Sequence, residues 1–167
     1  MAIGYAGKIL RVNLSTSTSS IEEPKEDFYR RYLGGTGFIS YFLLKEVKKD
    51  IDPLGPDNKL IFAVGPLTGV PVSGTGRNSV GAKSPLTGGQ GNAEVGGFWG
   101  AELKFAGFDA IIVEGKAKAP VYLWIEDGKI EIRDAHHLWG KTTKDVQDIL
   151  KNEHGAGTRV CQIGPAG

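Results

Sequence analysis

A single arginine within a run of small residues is the first feature of this sequence that could do chemistry. Arg77 stands in GTGRNSV and is the only arginine between Arg31 and Arg133. Its planar guanidinium fork suits a phosphate or a flat heterocycle, and a hydrogen bond of this charge-assisted kind contributes about 1.5 to 3 kcal/mol. Composition alone leaves two interpretations open, a ligand-binding arginine and a solvated turn arginine.

Glycines surround this arginine. Residues 64–91 read VGPLTGVPVSGTGRNSVGAKSPLTGGQG, with PLTG twice and eight glycines. Glycine in regular structure costs about 0.5 to 1 kcal/mol relative to alanine, so such a run indicates backbone that bends sharply or lies against a ligand. The next segment, NAEVGGFWG at 92–100, predicts bare backbone N–H groups at a helix start, which favours anions. Close packing of that helix on a sheet is the alternative interpretation.

Two phosphate-binding motifs are approached and missed. GRNSVGAKS has one residue too many between its second glycine and its lysine for a P-loop, and Pro85 follows where a P-loop needs a helix. Gly74, Gly76 and Ser79 miss the dinucleotide fingerprint by one residue, and no acidic residue follows at the end of an adjoining parallel strand. An independent nucleotide-binding domain rests only on these near matches.

The remaining candidate side chains favour structural roles. His136 and His137 are adjacent, point apart on a strand or loop, and are predicted to be satisfied loop histidines rather than metal ligands. Cys161 lies in an apolar run that predicts a strand, and we expect it to pack in the core. Three aromatic residues are predicted to face the core, with a lid over a flat ligand as the second interpretation: Phe98, Trp99 and Phe105.

Charge and cysteine content exclude several classes of protein. Lys and Arg total 20 against 19 Asp and Glu, and the charges are scattered, which argues against a nucleic-acid or membrane-surface protein. One cysteine provides no disulfide framework and cannot ligate a metal cluster that needs several thiolates. No apolar run approaches the roughly 20 residues of a membrane span, so we expect a cytoplasmic protein.

The elements that must position these residues occur in a repeated order. The first series consists of a two-stranded start whose first strand is at 7–15, helical patterns from Glu26 and over 38–47, and a buried strand at 59–66. A short helix at 96–107 and a strand at 109–115 follow. The second series consists of a hairpin with Asp127-Gly128 at its turn, a helix from Thr143 and another Gly-Pro. The order predicts an α+β fold of two related hairpin-helix-strand units, the second incomplete, with an exposed apolar face or sheet edge beside it.

Long segments of the chain resemble one known family. In order and spacing, KLIFAVGPLTG, GTGR, KSPLTGG, GGFWGAELKFAGFDAIIVEGKA, PVYLWIEDG, DAHHLWGK and IGPAG are similar to the amino-terminal domain of the tungsten-containing aldehyde:ferredoxin oxidoreductases. The resemblance covers essentially all of residues 1–167, and GAELKFAGFDAIIVEGKA is too long and particular to arise from generic composition. It implies that this domain is a base for a bis-molybdopterin cofactor carrying tungsten, with molybdenum possible, and for a magnesium ion that bridges the two phosphates.

The resemblance also implies which residues bind the cofactor. Arg77 matches the pterin-contacting arginine of the family, and four consecutive residues match the loop that meets the first pterin and its phosphate: Ala93, Glu94, Val95 and Gly96. Glu94 is the implied metal contact, through its backbone carbonyl. Two positions depart from the family pattern, since Glu94 stands where asparagine is frequent and Thr36 stands where arginine is common, so one cationic contact is expected to be absent.

Family chains are several times longer than this one. The remainder would hold the second pterin-binding segment, the cysteines of a 4Fe-4S cluster and the acid-base groups of the substrate pocket, so no catalytic residue is expected here. The resemblance implies part of a homo-oligomeric enzyme that oxidises aldehydes to carboxylic acids and passes electrons to ferredoxin, with downstream domains or a second polypeptide as partner. The alternative is a truncated, non-catalytic binding or assembly module that retains only the fold.

Overall fold

The computed structural model describes residues 3–165. Within them the chain forms eight strands and four helices in this order: β1 (Ile9–Asn13), β2 (Thr18–Glu22), α1 (Glu26–Tyr32), α2 (Thr36–Glu46), β3 (Lys59–Val64), β4 (Asn78–Lys83), β5 (Gln90–Val95), α3 (Trp99–Phe105), β6 (Ala110–Glu114), β7 (Val121–Glu126), β8 (Lys129–Asp134) and α4 (Thr143–His154). No helix within this range is both long enough and apolar enough to cross a bilayer.

Six of the strands form one mixed sheet in the order β2-β1-β6-β3-β4-β5, and β7 and β8 form a separate two-stranded sheet. The β1–β6 pair is parallel, with Ile9 opposite Ala110, and the other pairs of the large sheet are antiparallel. The α+β class predicted from the sequence is confirmed, because the strands do not form one doubly wound parallel sheet.

The central strands bury both of their faces, which explains why β1, β3 and β6 read as nearly continuous apolar runs. Successive residues of a strand point to opposite faces, so the alternate residues of each run enter different cores. On one face they pack against α1 and α2 in a cluster of buried side chains: Ile9, Ile61, Ala63, Ala110 and Ile112 with Tyr29, Phe38, Ile39 and Phe42.

The opposite face of the large sheet is covered by α3 and by the β7–β8 hairpin. Leu10 and Ile111 alternate with the residues of the first core and pack beside Leu103 of α3. The hairpin contributes four partly buried apolar side chains to the same cluster: Leu123, Ile125, Ile130 and Ile132. The first half of the second predicted unit therefore completes the core of the first.

Strands β4 and β5 lie in the glycine-rich stretch, where the sequence indicated only bent or ligand-facing backbone. Gly81 shows why one glycine is needed inside a strand. A Cβ on it would lie 2.6 Å from Cγ2 of Ile39 and 2.7 Å from the carbonyl oxygen of Gly91. This glycine therefore lets α2 pack closely on the sheet, and its role is not contact with a ligand.

The second unit agrees with the sequence in its hairpin and differs near its end. Asp127 and Gly128 have φ angles of 47° and 79°, as a tight turn between antiparallel strands requires. Residues 158–165 form no strand, and Cys161 is exposed, so its predicted core position is wrong. The physical reason is that no strand within residues 3–165 pairs with this segment, and Ile163 is likewise exposed.

A network of charged side chains joins β1, α2, β3 and β6 at the side of the first core. Arg11 donates to both carboxylate oxygens of Glu46, at 2.8 and 2.5 Å, and pairs with Glu22. Lys59 pairs with Glu114 and lies 3.4 Å from Glu46. Burial by itself raises the pKa of Glu46, but the hydrogen bonds and charge of Arg11, with Lys59, outweigh it and hold that pKa below its usual value.

We expect Glu46→Gln to lower the free energy of unfolding by about 1 to 3 kcal/mol at pH 7, between the values for exposed and buried ion pairs. A depressed carboxylate pKa stabilises the fold above the unfolded pKa, near 4.5, and the contribution is lost as the pH falls through the folded pKa. Urea unfolding from pH 7 to pH 3 should show a shallower acid loss in the variant. Glu126→Gln, at an exposed position, is the control, and equal acid slopes would contradict the prediction.

Candidate cofactor-binding site

A cavity of about 270 Å³ lies where β3 ends and β4 begins. Because these strands are antiparallel, with Val64 opposite Asn78, the chain leaves β3 and enters β4 at the same end of the sheet. Three segments and one β5 side chain line the cavity: Leu33, Gly34, Gly35, Thr36, Ala63, Gly65, Pro66, Thr68, Arg77, Asn78, Ser79 and Glu94. A larger cavity of about 450 Å³, on the outer side of α1 and α2, contains none of the predicted site residues.

The loop between β3 and β4 is closed by one buried hydroxyl group. Thr68 is 7% exposed, and its Oγ1 accepts a hydrogen bond from the Gly65 amide and donates one to the Arg77 carbonyl oxygen, both at 2.9 Å. The Gly69 amide donates to the Thr75 carbonyl oxygen at 3.1 Å. The first PLTG segment therefore folds onto itself and fixes the backbone that carries Arg77.

Arg77 is exposed at the rim of the cavity. Within residues 3–165 its guanidinium has no hydrogen-bond partner and no carboxylate at salt-bridge distance. A Cβ on Gly96 would lie 3.7 Å from Nε of Arg77, and a Cβ on Gly76 would lie 2.5 Å from the Gly97 carbonyl oxygen. Small residues on both chain segments therefore bring Arg77 against Gly96, and two of the predicted site residues meet.

The other predicted residues occupy β5, an outer strand of the large sheet. Ala93, Glu94 and Val95 pair with Val80, Ser79 and Asn78 of β4. Only Glu94 of the three lines the cavity, because successive residues of a strand face opposite sides of the sheet.

The Glu94 carboxylate is held by hydroxyl groups. Its Oε1 accepts hydrogen bonds from Ser79 Oγ and, at 3.2 Å, from Thr36 Oγ1, which also lies 3.2 Å from Asn92 Oδ1. Thr36 and Glu94 are the two positions at which the resemblance predicts other residues, and here they contact each other. No group of three or more His, Cys, Asp or Glu residues within 3–165 is arranged to hold a metal ion.

Asn78 is a buried polar residue beside the cavity that sequence reasoning did not single out. It lines the cavity, it is 3% exposed, and its Oδ1 has no hydrogen-bond partner within the described part of the chain. A buried acceptor without a partner costs about 1 to 3 kcal/mol. This oxygen faces α3, where a Cβ on Gly100 would lie 3.1 Å from it, so the cavity does not expose it to a ligand. The free guanidinium of Arg77 at the rim suits the phosphate of a pterin cofactor.

The aromatic residues after β5 differ from prediction. Phe98 and Phe105 are 70% and 67% exposed, and only Trp99 is partly buried, with its ring 5.4 Å from that of Phe62. The helix α3 has two turns, and its buried positions are taken by Gly100 and Leu103.

The two adjacent histidines are satisfied near the end of β8, as predicted. His136 Nδ1 lies 2.5 Å from Asp134, and His137 Nε2 lies 3.2 Å from Glu153 of α4. These contacts hold both rings against neighbouring carboxylates, and neither histidine lines the cavity.

Comparison with known proteins decides the family. Residues 9–167 match the model of the aldehyde ferredoxin oxidoreductase N-terminal domain. The chain belongs to this family. It is 55% identical over 98% of its length to a tungsten-containing aldehyde ferredoxin oxidoreductase of Pyrococcus horikoshii, and 50% identical over 98% to the protein of that name from Pyrococcus furiosus. The chain spans 27% of each of these relatives.

Members of the family with other names share this domain. An aliphatic sulfonate oxidoreductase subunit of Pyrococcus furiosus is 42% identical over 90% of the chain, which covers 24% of that relative. Among solved structures, the active-site complex BamBC of benzoyl coenzyme A reductase with 1,5-dienoyl-CoA matches with a TM-score of 0.88 and 39% identity, over 92% of this chain and 23% of that one. The fold is therefore that of an oxidoreductase domain used in enzymes with different substrates.

Proposed function

We propose that this domain is the platform on which a tungsten bis-pterin cofactor lies in an oxidoreductase that converts aldehydes to carboxylic acids and passes electrons to ferredoxin. One observation carries the proposal. A cavity at the end of strands β3 and β4 carries an exposed guanidinium, Arg77, unpaired within residues 3–165, on a loop that Thr68 closes. Members of the family that are 50 to 55% identical are tungsten-containing aldehyde ferredoxin oxidoreductases.

Arg77 has the main binding role in this proposal. It donates its planar fork to a phosphate or to the pterin ring. Gly76 and Gly96 let the segment that carries Arg77 pack against the segment that follows β5. The bound cofactor supplies the redox chemistry, and this chain orients it.

Glu94 would have a separate role, in holding a magnesium ion beside the phosphates of the cofactor. Ser79 and Thr36 donate to one of its carboxylate oxygens, which reduces the repulsion that a free carboxylate exerts on a phosphate. The Glu94 backbone carbonyl is the proposed metal contact, with phosphate oxygens as further ligands. The 4Fe-4S cluster needs cysteines from elsewhere, because Cys161 is the only cysteine of this chain.

Substrate choice is assigned to residues outside this domain. The cavity contains two ionisable side chains, Arg77 and Glu94, and both have binding roles in the proposal. Relatives named for aldehydes and for aliphatic sulfonates share the domain. An aldehyde is the proposed substrate because the more similar relatives carry that name.

The test is metal analysis of the purified protein, expressed alone and joined to the remaining part of a full-length relative, in a host that makes the pterin cofactor. We expect tungsten and pterin to co-purify with the combined protein in stoichiometric amounts. A combined protein that folds but contains neither favours the non-catalytic assembly module instead. Matched preparations from tungstate-free medium control for adventitious metal.

We expect the 167-residue chain alone to show no dye-linked oxidation of aldehydes. The chain supplies only the first set of pterin contacts and one cysteine, so it retains the bis-pterin weakly and cannot ligate an iron-sulfur cluster. The assay compares the chain with a metal-free preparation of itself. Turnover above that control would refute the expectation.

A further inference from the structure

A lysine outside the cavity holds two of the residues that line it. Lys104 of α3 donates from Nζ to the carbonyl oxygens of Gly65 at 2.6 Å and of Pro66 at 3.0 Å. Both acceptor residues line the cavity, whereas Lys104 does not. The ammonium group therefore contacts the outer side of the cavity wall.

The backbone at this point has few other partners. Gly65 and Pro66 follow the last residue of β3, so their carbonyl groups have left the sheet ladder. Within residues 3–165 no other hydrogen bond reaches the Pro66 carbonyl oxygen, and the Gly65 carbonyl also accepts from the Thr68 amide at 3.1 Å. Hydrogen bonds from a charged donor contribute about 1.5 to 3 kcal/mol, so Lys104 is a strong constraint on this turn.

Lys104 contacts one wall of the cavity directly and, through Tyr5, is linked to the opposite wall. Its ammonium lies 5.7 Å from the centre of the Tyr5 ring, and the Tyr5 hydroxyl donates to the Leu33 carbonyl oxygen at 2.9 Å. Leu33 begins the opposite wall of the cavity. Burial lowers the pKa of Lys104, and the charge of the buried Asp109 acts in the opposite direction.

We infer that Lys104 is a positioning residue for the cofactor cavity, which it serves by fixing the Gly65 and Pro66 carbonyls. The constraint extends to Arg77, because Thr68 Oγ1 links the Gly65 amide to the Arg77 carbonyl. The inference rests on the proposed function in taking the cavity as the cofactor site. It adds a residue that neither lines the cavity nor touches the cofactor.

The first test is hydrogen exchange in Lys104→Met, which keeps the length of the side chain and removes the ammonium. Lys144→Met, at an exposed position of α4, is the control. We expect the amides of Thr68 and Gly69 to exchange at least tenfold faster in Lys104→Met, while the amides of β6 keep their protection. Exchange that rises equally in the loop and in β6 reports global destabilisation and overturns the inference.

The second test is cofactor content in the enzyme that contains this domain. We expect tungsten and pterin per folded molecule to fall several-fold in Lys104→Met and to recover in part in Lys104→Arg, which keeps the charge and the N–H donors. When the wild type contains tungsten, equal content in Lys104→Met and the wild type overturns the inference. Where Lys104→Met fails to fold, Lys104→Gln replaces it in both tests, with the same outcomes required.

The two tests separate this inference from the proposed function. If the loop exchanges faster in the variant but the wild-type enzyme contains no tungsten, the proposed function fails and the positioning of the loop by Lys104 stands. If the wild type contains tungsten and the variant matches it in content and exchange, the proposed function stands and the inference fails.

Discussion

Replacement of Arg77 by alanine will remove most of the tungsten and pterin from the enzyme that contains this domain. The guanidinium has no partner within residues 3–165, so its donors are free for the ligand, and each lost charge-assisted bond costs about 1.5 to 3 kcal/mol. That loss corresponds to retention about 10- to 100-fold weaker, since 1.4 kcal/mol is tenfold. Lysine keeps the charge without the planar fork, so Arg77→Lys will be intermediate.

Thermal stability of the cofactor-free protein provides the decisive comparison. Arg77 is exposed, so Arg77→Ala will change the free energy of unfolding by no more than about 0.5 kcal/mol. Arg31→Ala, at another exposed arginine, is the matched control and will retain full cofactor. If both Arg77 variants retain full cofactor, Arg77 is a solvated turn residue. If the variants are less stable but retain the same amount of cofactor per folded molecule, Arg77 is a structural residue, and the backbone of residues 93–96 has the binding role.

Replacement of Asp109 by alanine will destabilise the fold by about 3 kcal/mol or more. Asp109 is fully buried, and its carboxylate accepts from the amides of Ala6 at 3.0 Å and Gly7 at 2.7 Å. Removing it leaves two amides without an acceptor, at about 1 to 3 kcal/mol each, and takes an opposite charge from Lys104. Urea unfolding at pH 7 measures the loss, with Asp148→Ala on the exposed face of α4 as the control.

The pH dependence of the unfolding free energy provides a second, independent test of this prediction. Burial raises the pKa of Asp109, more than the amides of Ala6 and Gly7 and the charge of Lys104 lower it. The folded state therefore binds this proton more tightly than the unfolded state, and the contribution of Asp109 to stability falls as the pH rises through the folded pKa. Asp109→Asn lacks this slope and keeps one acceptor, so its loss will be smaller than that of alanine. A loss below 1 kcal/mol in Asp109→Ala would contradict the prediction.

Local signals in the sequence account for the parts of the fold that were predicted correctly. Asp127-Gly128 specifies its turn through backbone angles that few other pairs adopt, and the apolar run of β3 needs burial on both faces. Strands β4 and β5 could not be predicted, because they consist largely of glycine and polar residues and show no clear alternation of apolar and polar positions. Their pairing is decided by close contact with α2 at Gly81, which is a property of the assembled sheet.

The same distinction between local and assembled features applies to the candidate site. Arg77 was found from the sequence because an arginine isolated among glycines is chemically conspicuous. The family resemblance, and not the pattern of residues, pointed to residues 93–96. The contact between Thr36 and Glu94 depends on the β4–β5 register and on the position of α2, so no local pattern reveals it. Phe98 and Phe105 were assigned to the core from hydrophobicity alone, which does not say which face of a two-turn helix is covered.

The parallel pairing of β1 with β6 has a consequence for the order in which the domain is made. Asn13 and Glu114 are partners in this ladder although 101 positions separate them in the chain. A ribosome adds about 5 to 20 residues per second, so β1 waits roughly 5 to 20 seconds for its partner strand. During that interval one edge of the nascent β1–β2 hairpin is open to other chains, and a holdase chaperone that covers extended apolar segments would act at this stage of synthesis.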